Sequence, residues 1–202
     1  MIFYLVKLFK LIEIRIMNGM NIEMQKERIV MKIRLSEYQM IWRTMYEHEV
    51  QLLQKLFAED IIKFEHFGST AVPGMLAKPV IDIICIVEDI KKIDCYNDRL
   101  RFLGYEAAGE WGIAGRRLFR KGGDERTHHL HVYQDGNPHI DRHVIFRDYL
   151  IAHREEAEKY SNFKKTLENK YDSTTEYSAA KKAFVSEMER RALDWYSKLL
   201  EE

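Results

Sequence analysis

The sequence predicts an α+β protein, a mixed β-sheet flanked by helices with a helical C-terminal part. Three observations carry this reading. Short apolar or alternating segments bounded by turn residues recur between residues 61 and 134, the strand signal ends by about residue 141, and helical spacing runs from there to the end. No repeat of 20–50 residues and no low-complexity tract divides the chain, so the helices are expected to pack on the sheet.

The elements follow in order. Residues 1–30 are read as an N-terminal extension and 31–202 as one domain, with its sheet part to about 140 and its helical part over 141–202. IVMKIRL at 29–35 reads as a short strand, and Ser36 as the N-cap of a helix that runs to about 58 with Ile41, Met45, Val50, Leu53 and Leu56 as its buried stripe. IIKFEHF at 61–67 alternates and reads as a strand, followed at once by the loop GSTAVPG. VIDIICIV at 80–87 reads as a central strand covered on both faces, apart from Asp82 within it. A helix over 88–102 ends at Gly104, and strands follow near 105–108, 116–121 and 128–134. Helices then cover 144–170, with His153 as a candidate break, and 174–198.

Composition limits the functions available. Of 202 residues 46% are hydrophobic and 32% charged, which suits a folded globular chain. Thirty-two basic residues balance thirty-two acidic ones, so no global field draws the protein to nucleic acid or to an anionic membrane, and any anion site must be local. Lys7, Lys10, Glu13 and Arg15 interrupt the apolar N-terminus, so it holds no span of about 20 apolar residues, and it lacks the order of a signal peptide. The extension is therefore either dispensable, with Met17, Met20, Met24 or Met31 as later starts, or a docking segment. Cys85 and Cys95 lack CxxC spacing, so a disulfide is not expected and a cytoplasmic location fits.

The residue that demands an explanation is Asp82. A carboxylate in an apolar central strand is costly unless it is paired, hydrogen-bonded or bound to metal. Just upstream, Gly68 permits close backbone approach and the Ser69 and Thr70 hydroxyls can reach phosphate oxygens. A phosphate-holding turn followed by a metal-holding carboxylate is the order that nucleotidyl transfer requires.

The longer string HFGSTAVPGMLAKPVIDIICIV, from His66 to Val87, closely resembles the signature of the GrpB family, GST-x-VPG-x-x-x-KP-x-x-D. GYEAAGEWGIAGRRLFRKG from Gly104, THHLHVY from Thr127, FRDYL from Phe146 and a tail with Tyr160, Lys164, Tyr171, Tyr177, Lys181 and Trp195 agree with it, so the resemblance extends from about residue 32 to the end. It implies a nucleotidyltransferase-like fold, a nucleotide or other phosphate-bearing small molecule as ligand, and Asp82 as catalytic carboxylate and ligand of Mg²⁺. Related domains occur fused to dephospho-CoA kinase, so a non-catalytic regulatory or chaperone-like module stands as the alternative. The sequence departs from active nucleotidyltransferases at Ile84, where a second acid is usual, and two-metal chemistry is thereby put in question.

Further candidates surround Asp82. Period-two alternation puts Thr127, His129 and His131 on one face, where the two imidazoles could satisfy Asp82, contact a phosphate, or hold a transition metal as in a metal-dependent hydrolase. Lys78 is expected to contact an anion, and of the pair Arg116 and Arg117 the second is preferred for the cleft. Arg147 and Asp148 read as an ion pair that anchors a helix to the sheet. Tyr160 with Lys164, and Tyr177 with Lys181, are spaced i to i+4, so each pair shares a helix face and can form a basic, aromatic wall.

Overall fold

One long amphipathic helix orients the sheet. A computed structural model describes residues 34–168, 170–171 and 174–201; the expectations for the N-terminal extension and for most of the strand at 29–35 lie outside them. Helix α1 (Ile41–Phe57) buries Trp42, Leu53 and Phe57, spaced so that all three face one side. It does not start at Ser36. Ser36 instead forms a backbone bridge with Ala77, with N–O distances of 2.8 and 3.0 Å. An edge-on contact between Tyr38 and Trp42, 5.6 Å between centroids, then puts Trp42 at the head of the buried stripe and leaves Ile41 exposed.

Strands β1 (Ile61–Phe67), β2 (Ile81–Val87), β3 (Tyr105–Gly109), β4 (Arg116–Lys121) and β5 (His128–Gln134) form one mixed sheet in the order β1-β2-β5-β4-β3. Only the central pair, β2 with β5, is parallel; the other neighbours are antiparallel. β2 is buried because both its faces are covered. Ile81, Ile83, Cys85 and Val87 point to one face and pack with Leu130, Val132, Phe119 and α1. Ile84 and Ile86 point to the other face and pack with Phe67, Tyr133 and Ile140. Cys85 and Cys95 are free thiols.

The helix expected over 88–102 is divided into a 3₁₀ segment, Ile90–Tyr96, and a short α2 (Asn97–Phe102). Asp89 caps the first piece, its carboxylate accepting from the Lys91 amide at 2.9 Å. Helix α3 (Pro138–Ala152) starts six residues before the expected 144, because Asn137 caps the amide of His139 at 3.0 Å and Pro138 occupies the first turn. His153, at φ −118° and ψ 81°, separates α3 from α4 (Arg154–Leu167), and α5 (Thr174–Leu199) completes the chain. No helix among the described residues is long and apolar enough to cross a membrane.

Two ion pairs fasten helices to the sheet. Glu49 of α1 is almost fully buried and receives both carboxylate contacts from Lys121 of β4 at 2.8 Å. Arg147 of α3 donates to Glu65 of β1 at 2.7 Å and to the His66 carbonyl at 2.8 Å while its Nε holds Asp148. The anchoring role expected for Arg147 is thus present, with Glu65 as the sheet partner.

Burial alone would raise the Glu65 carboxyl, but hydrogen bonds from Arg147 and Lys63 outweigh it and hold its pKa below the ordinary value. A carboxylate with a depressed folded-state pKa stabilises the fold above its unfolded pKa, and that contribution is lost as pH falls through the folded value. Glu65→Gln is therefore expected to cost about 1–3 kcal/mol near neutrality. The gap to the parent chain should shrink below about pH 4, which thermal unfolding of both proteins across that range will check.

Candidate functional site

The turn between β1 and β2, the start of β2 and the start of β5 meet at one place. Asp82 pairs in register with Phe67 on one side and His129 on the other, so the three side chains share a face. His129 Nδ1 lies 3.0 Å from Asp82 Oδ1, and His131 Nε2 lies 3.9 Å from the same oxygen. Burial raises the pKa of Asp82, but the hydrogen bond and charge of His129, with help from His131 and Lys181, win and hold the carboxyl below its usual range. An ionised Asp82 can only accept, so His129 Nδ1 donates. Asp82 remains 27% exposed at its side chain and His129 31%, so the dyad opens to solvent.

Gly68 is demanded by this carboxylate. It sits at φ 75°, and a Cβ built on it would lie 2.7 Å from Asp82 Oδ2. The close approach expected of this glycine is thus made to Asp82. The next three residues form one 3₁₀ turn, Ser69–Ala71. Thr70, expected to contact phosphate, is turned inward: its hydroxyl donates to the Val80 carbonyl at 3.2 Å and lies 3.1 Å from His66 Nε2. Burial holds His66 down to about 4, and Tyr46 stacks on its ring at 4.7 Å, so His66 is a neutral brace.

Ser69 is half-buried and is tied to the helical part. The Lys164 ammonium donates to Ser69 Oγ at 2.9 Å and to the Leu76 carbonyl, and it lies 4.6 Å from the centre of the Tyr160 ring. Only 3% exposed, Lys164 forms the floor beneath the turn. Burial and the neighbouring charge of Lys181 push it down to about 7. Lys78 and Lys181 are half-buried and lie 5.2 and 5.5 Å from the Tyr177 ring centre. Burial and Lys181 lower Lys78 to about 8, although Asp82 acts in the opposite sense. Among the described residues no carboxylate forms an ion pair with any of these three lysines.

The arginine preference is reversed. Arg117 projects from the opposite face and forks onto Asp94 at 2.7 and 3.0 Å. Arg116 is on the Asp82 face, because its register partner on β5 is Tyr133, two steps along from His131. It is buried, donates to the carbonyls of Glu110 and Trp111, and brings Nη1 to 3.3 Å from His131 Nδ1. Only the β4–β5 register, which the sequence does not give, separates Arg116 from Arg117. His143 of α3, whose ring centre is 6.3 Å from that of His131, carries no sequence signal for this position. Two surface hollows, one lined by Asp94, Glu110 and Arg117 and one by Tyr46, Gln54 and Lys63, lie away from Asp82, which is singled out by chemistry instead of by cavity volume.

The donor set beside Asp82 does not fit Mg²⁺, which takes oxygen ligands in near-octahedral array. Asp82 offers one carboxylate, its neighbours are imidazoles, and Ile84 is fully buried where a second acid would stand.

Comparison with known proteins agrees with this architecture. The family model described as "GrpB protein" matches residues 32–191. The chain is 42% identical to a solved structure, "Crystal structure of conserved protein GrpB from Enterococcus faecalis", covering 81% of this chain and 99% of that one at a TM-score of 0.77. It is 40% identical over 165 residues to UPF0157 protein YqkA of Bacillus subtilis (strain 168), a match covering 81% of this chain and 48% of YqkA. A dephospho-CoA kinase of Mycolicibacterium paratuberculosis is 25% identical over 180 residues, covering 76% of this chain and 44% of the kinase. The chain thus spans about half the length of these two curated relatives. With the mixed sheet, the Gly68 turn and the match over 32–191 all in agreement, the chain belongs to the GrpB family.

Proposed function

We propose that this chain binds a nucleotide or another phosphate-bearing small molecule beside Ser69, as a cytoplasmic binding module without two-Mg²⁺ nucleotidyl transfer. The observation that carries the reading is a set of three lysines, Lys164 on the Ser69 hydroxyl and Lys78 and Lys181 on the Tyr177 ring, with depressed pKa values for Lys78 and Lys164. Burying like charges together is unfavourable, and a polyanion bound beside them would offset that cost. Because Lys164 already donates to Ser69 Oγ, the hydroxyl keeps its own proton to give to a phosphate oxygen. The buried rings of Tyr160 and Tyr177 lie against these ammonium groups and stabilise their positive charge. The poor fit to Mg²⁺ and the similarity to part of a dephospho-CoA kinase favour binding over two-metal transfer.

ATP, GTP, CTP and UTP, each added in the presence of chelator, are expected to show at least one that raises the melting temperature. Lys181→Ala should weaken that binding about tenfold, the loss of one charge-assisted contact. No rise with any of the four would overturn the reading. Binding should also depend on pH in a defined direction. Below pH 7 both Lys164 and Lys78 are charged in the free protein, so affinity is greatest there; as pH rises through about 7 and then about 8 they lose protons that an anion needs. Calorimetric titration from pH 6.5 to 9 should find affinity falling, and a flat profile would remove these lysines from the site.

A further inference from the structure

We propose that Asp82, His129 and His131 form a mononuclear site for a divalent transition metal of the Zn²⁺ or Co²⁺ class. The inference is independent of the nucleotide reading. One ligand atom from each residue can be chosen so that all three lie within 4.8 Å of one another. Their placement follows from the sheet: His129 and His131 are two apart on β5 and so point the same way, and Asp82 stands in register with His129 on the parallel neighbour β2. Gly68 leaves the space that Asp82 Oδ2 occupies, since a Cβ there would lie 2.7 Å from it, and Oδ1 faces His129.

Two imidazole nitrogens and one carboxylate oxygen are borderline donors, the set preferred by Zn²⁺, Co²⁺ and Fe²⁺. His131 Nε2 is a buried polar atom without a hydrogen-bond partner among the described residues, so once the ring proton is moved to Nδ1 no existing bond at Nε2 competes with a metal for its lone pair. The separations of 3.0 and 3.9 Å from Asp82 Oδ1 bracket the ~3.4 Å edge of a tetrahedral site with bonds of about 2.1 Å, so a small rotation of the His131 ring closes it. The exposed side of Asp82 and His129 leaves a coordination position open to solvent, as in catalytic more than structural sites.

Two rearrangements accompany binding. The proton now on His129 Nδ1 moves to Nε2, freeing the Nδ1 lone pair. For His131 to bind through Nε2, its Nδ1 must carry the proton, so the 3.3 Å contact from Arg116 gives way while Arg116 keeps the Glu110 and Trp111 carbonyls. Lys181 also disfavours a cation here, and a single carboxylate with no second acid gives Mg²⁺ nothing to offset that.

The test uses the full chain without a polyhistidine tag, stripped with chelator and dialysed. Calorimetric titration with Zn²⁺, Co²⁺ and Mg²⁺ should show one Zn²⁺ or Co²⁺ per chain and no Mg²⁺ binding at the same concentrations, with a visible d–d spectrum for the Co²⁺ form. His131→Gln should weaken Zn²⁺ at least about tenfold. His129→Gln, at the exposed edge of the site, gives the same result if the buried substitution compromises folding. The proposal fails if neither Zn²⁺ nor Co²⁺ binds, if Mg²⁺ binds as tightly as Zn²⁺, or if both glutamine variants retain parental Zn²⁺ affinity.

Discussion

A single ionised carboxylate near the start of a central strand sets the conditions for everything around it. Removing a charge of this kind from water costs several kcal/mol unless neighbours compensate. Here the compensation is a directed hydrogen bond from His129, the proximity of His131 and the field of Lys181, and together they outweigh burial. The same carboxylate dictates the backbone before it. No residue with a Cβ fits at Gly68 while Asp82 Oδ2 keeps its place, so the turn that presents Ser69 is shaped by the acid behind it.

The second half of the site comes from the helical part. Val72 and Met75 pack with Ile145, Tyr149, Leu150 and Met188, and Lys164 reaches back to Ser69 and the Leu76 carbonyl. The loop after β1 is thus clamped between sheet and helices. Asp82 and the lysines are close enough to influence one another's protonation. A negative group and a positive cluster side by side suit a ligand with both an anionic end and either a metal or a hydrogen-bond donor.

Much of this was legible in the residues. β1, β4 and β5 fall at their expected bounds because alternation and flanking glycines mark them without tertiary help. Asp82 stands out because a charge is so poorly tolerated in an apolar run. Where the structure departs from the sequence pattern, the causes are equally local. The start of α1 was set by Trp42 packing on Tyr38, which capping chemistry at Ser36 does not report. The start of α3 was available in Asn137 and Pro138. Thr70 resembles its neighbour Ser69, yet a 3₁₀ turn sends adjacent side chains in different directions, one to Lys164 of the helical part and one in to Val80. Choosing between Arg116 and Arg117 needed the strand register, and the meeting of Lys164 and Lys181 with Ser69 needed the packing of helices far away in sequence.

The most direct measurement of the Asp82 arrangement is the protonation of His129 in metal-free protein, read by long-range ¹⁵N–¹H NMR of the imidazole side chains. A carboxylate accepting from Nδ1 requires the Nδ1–H tautomer, which should be lost when Gly68→Ala forces a methyl group into the space held by Asp82 Oδ2. A His129 that carries its proton on Nε2, or that is unchanged by Gly68→Ala, would contradict the role given to Asp82.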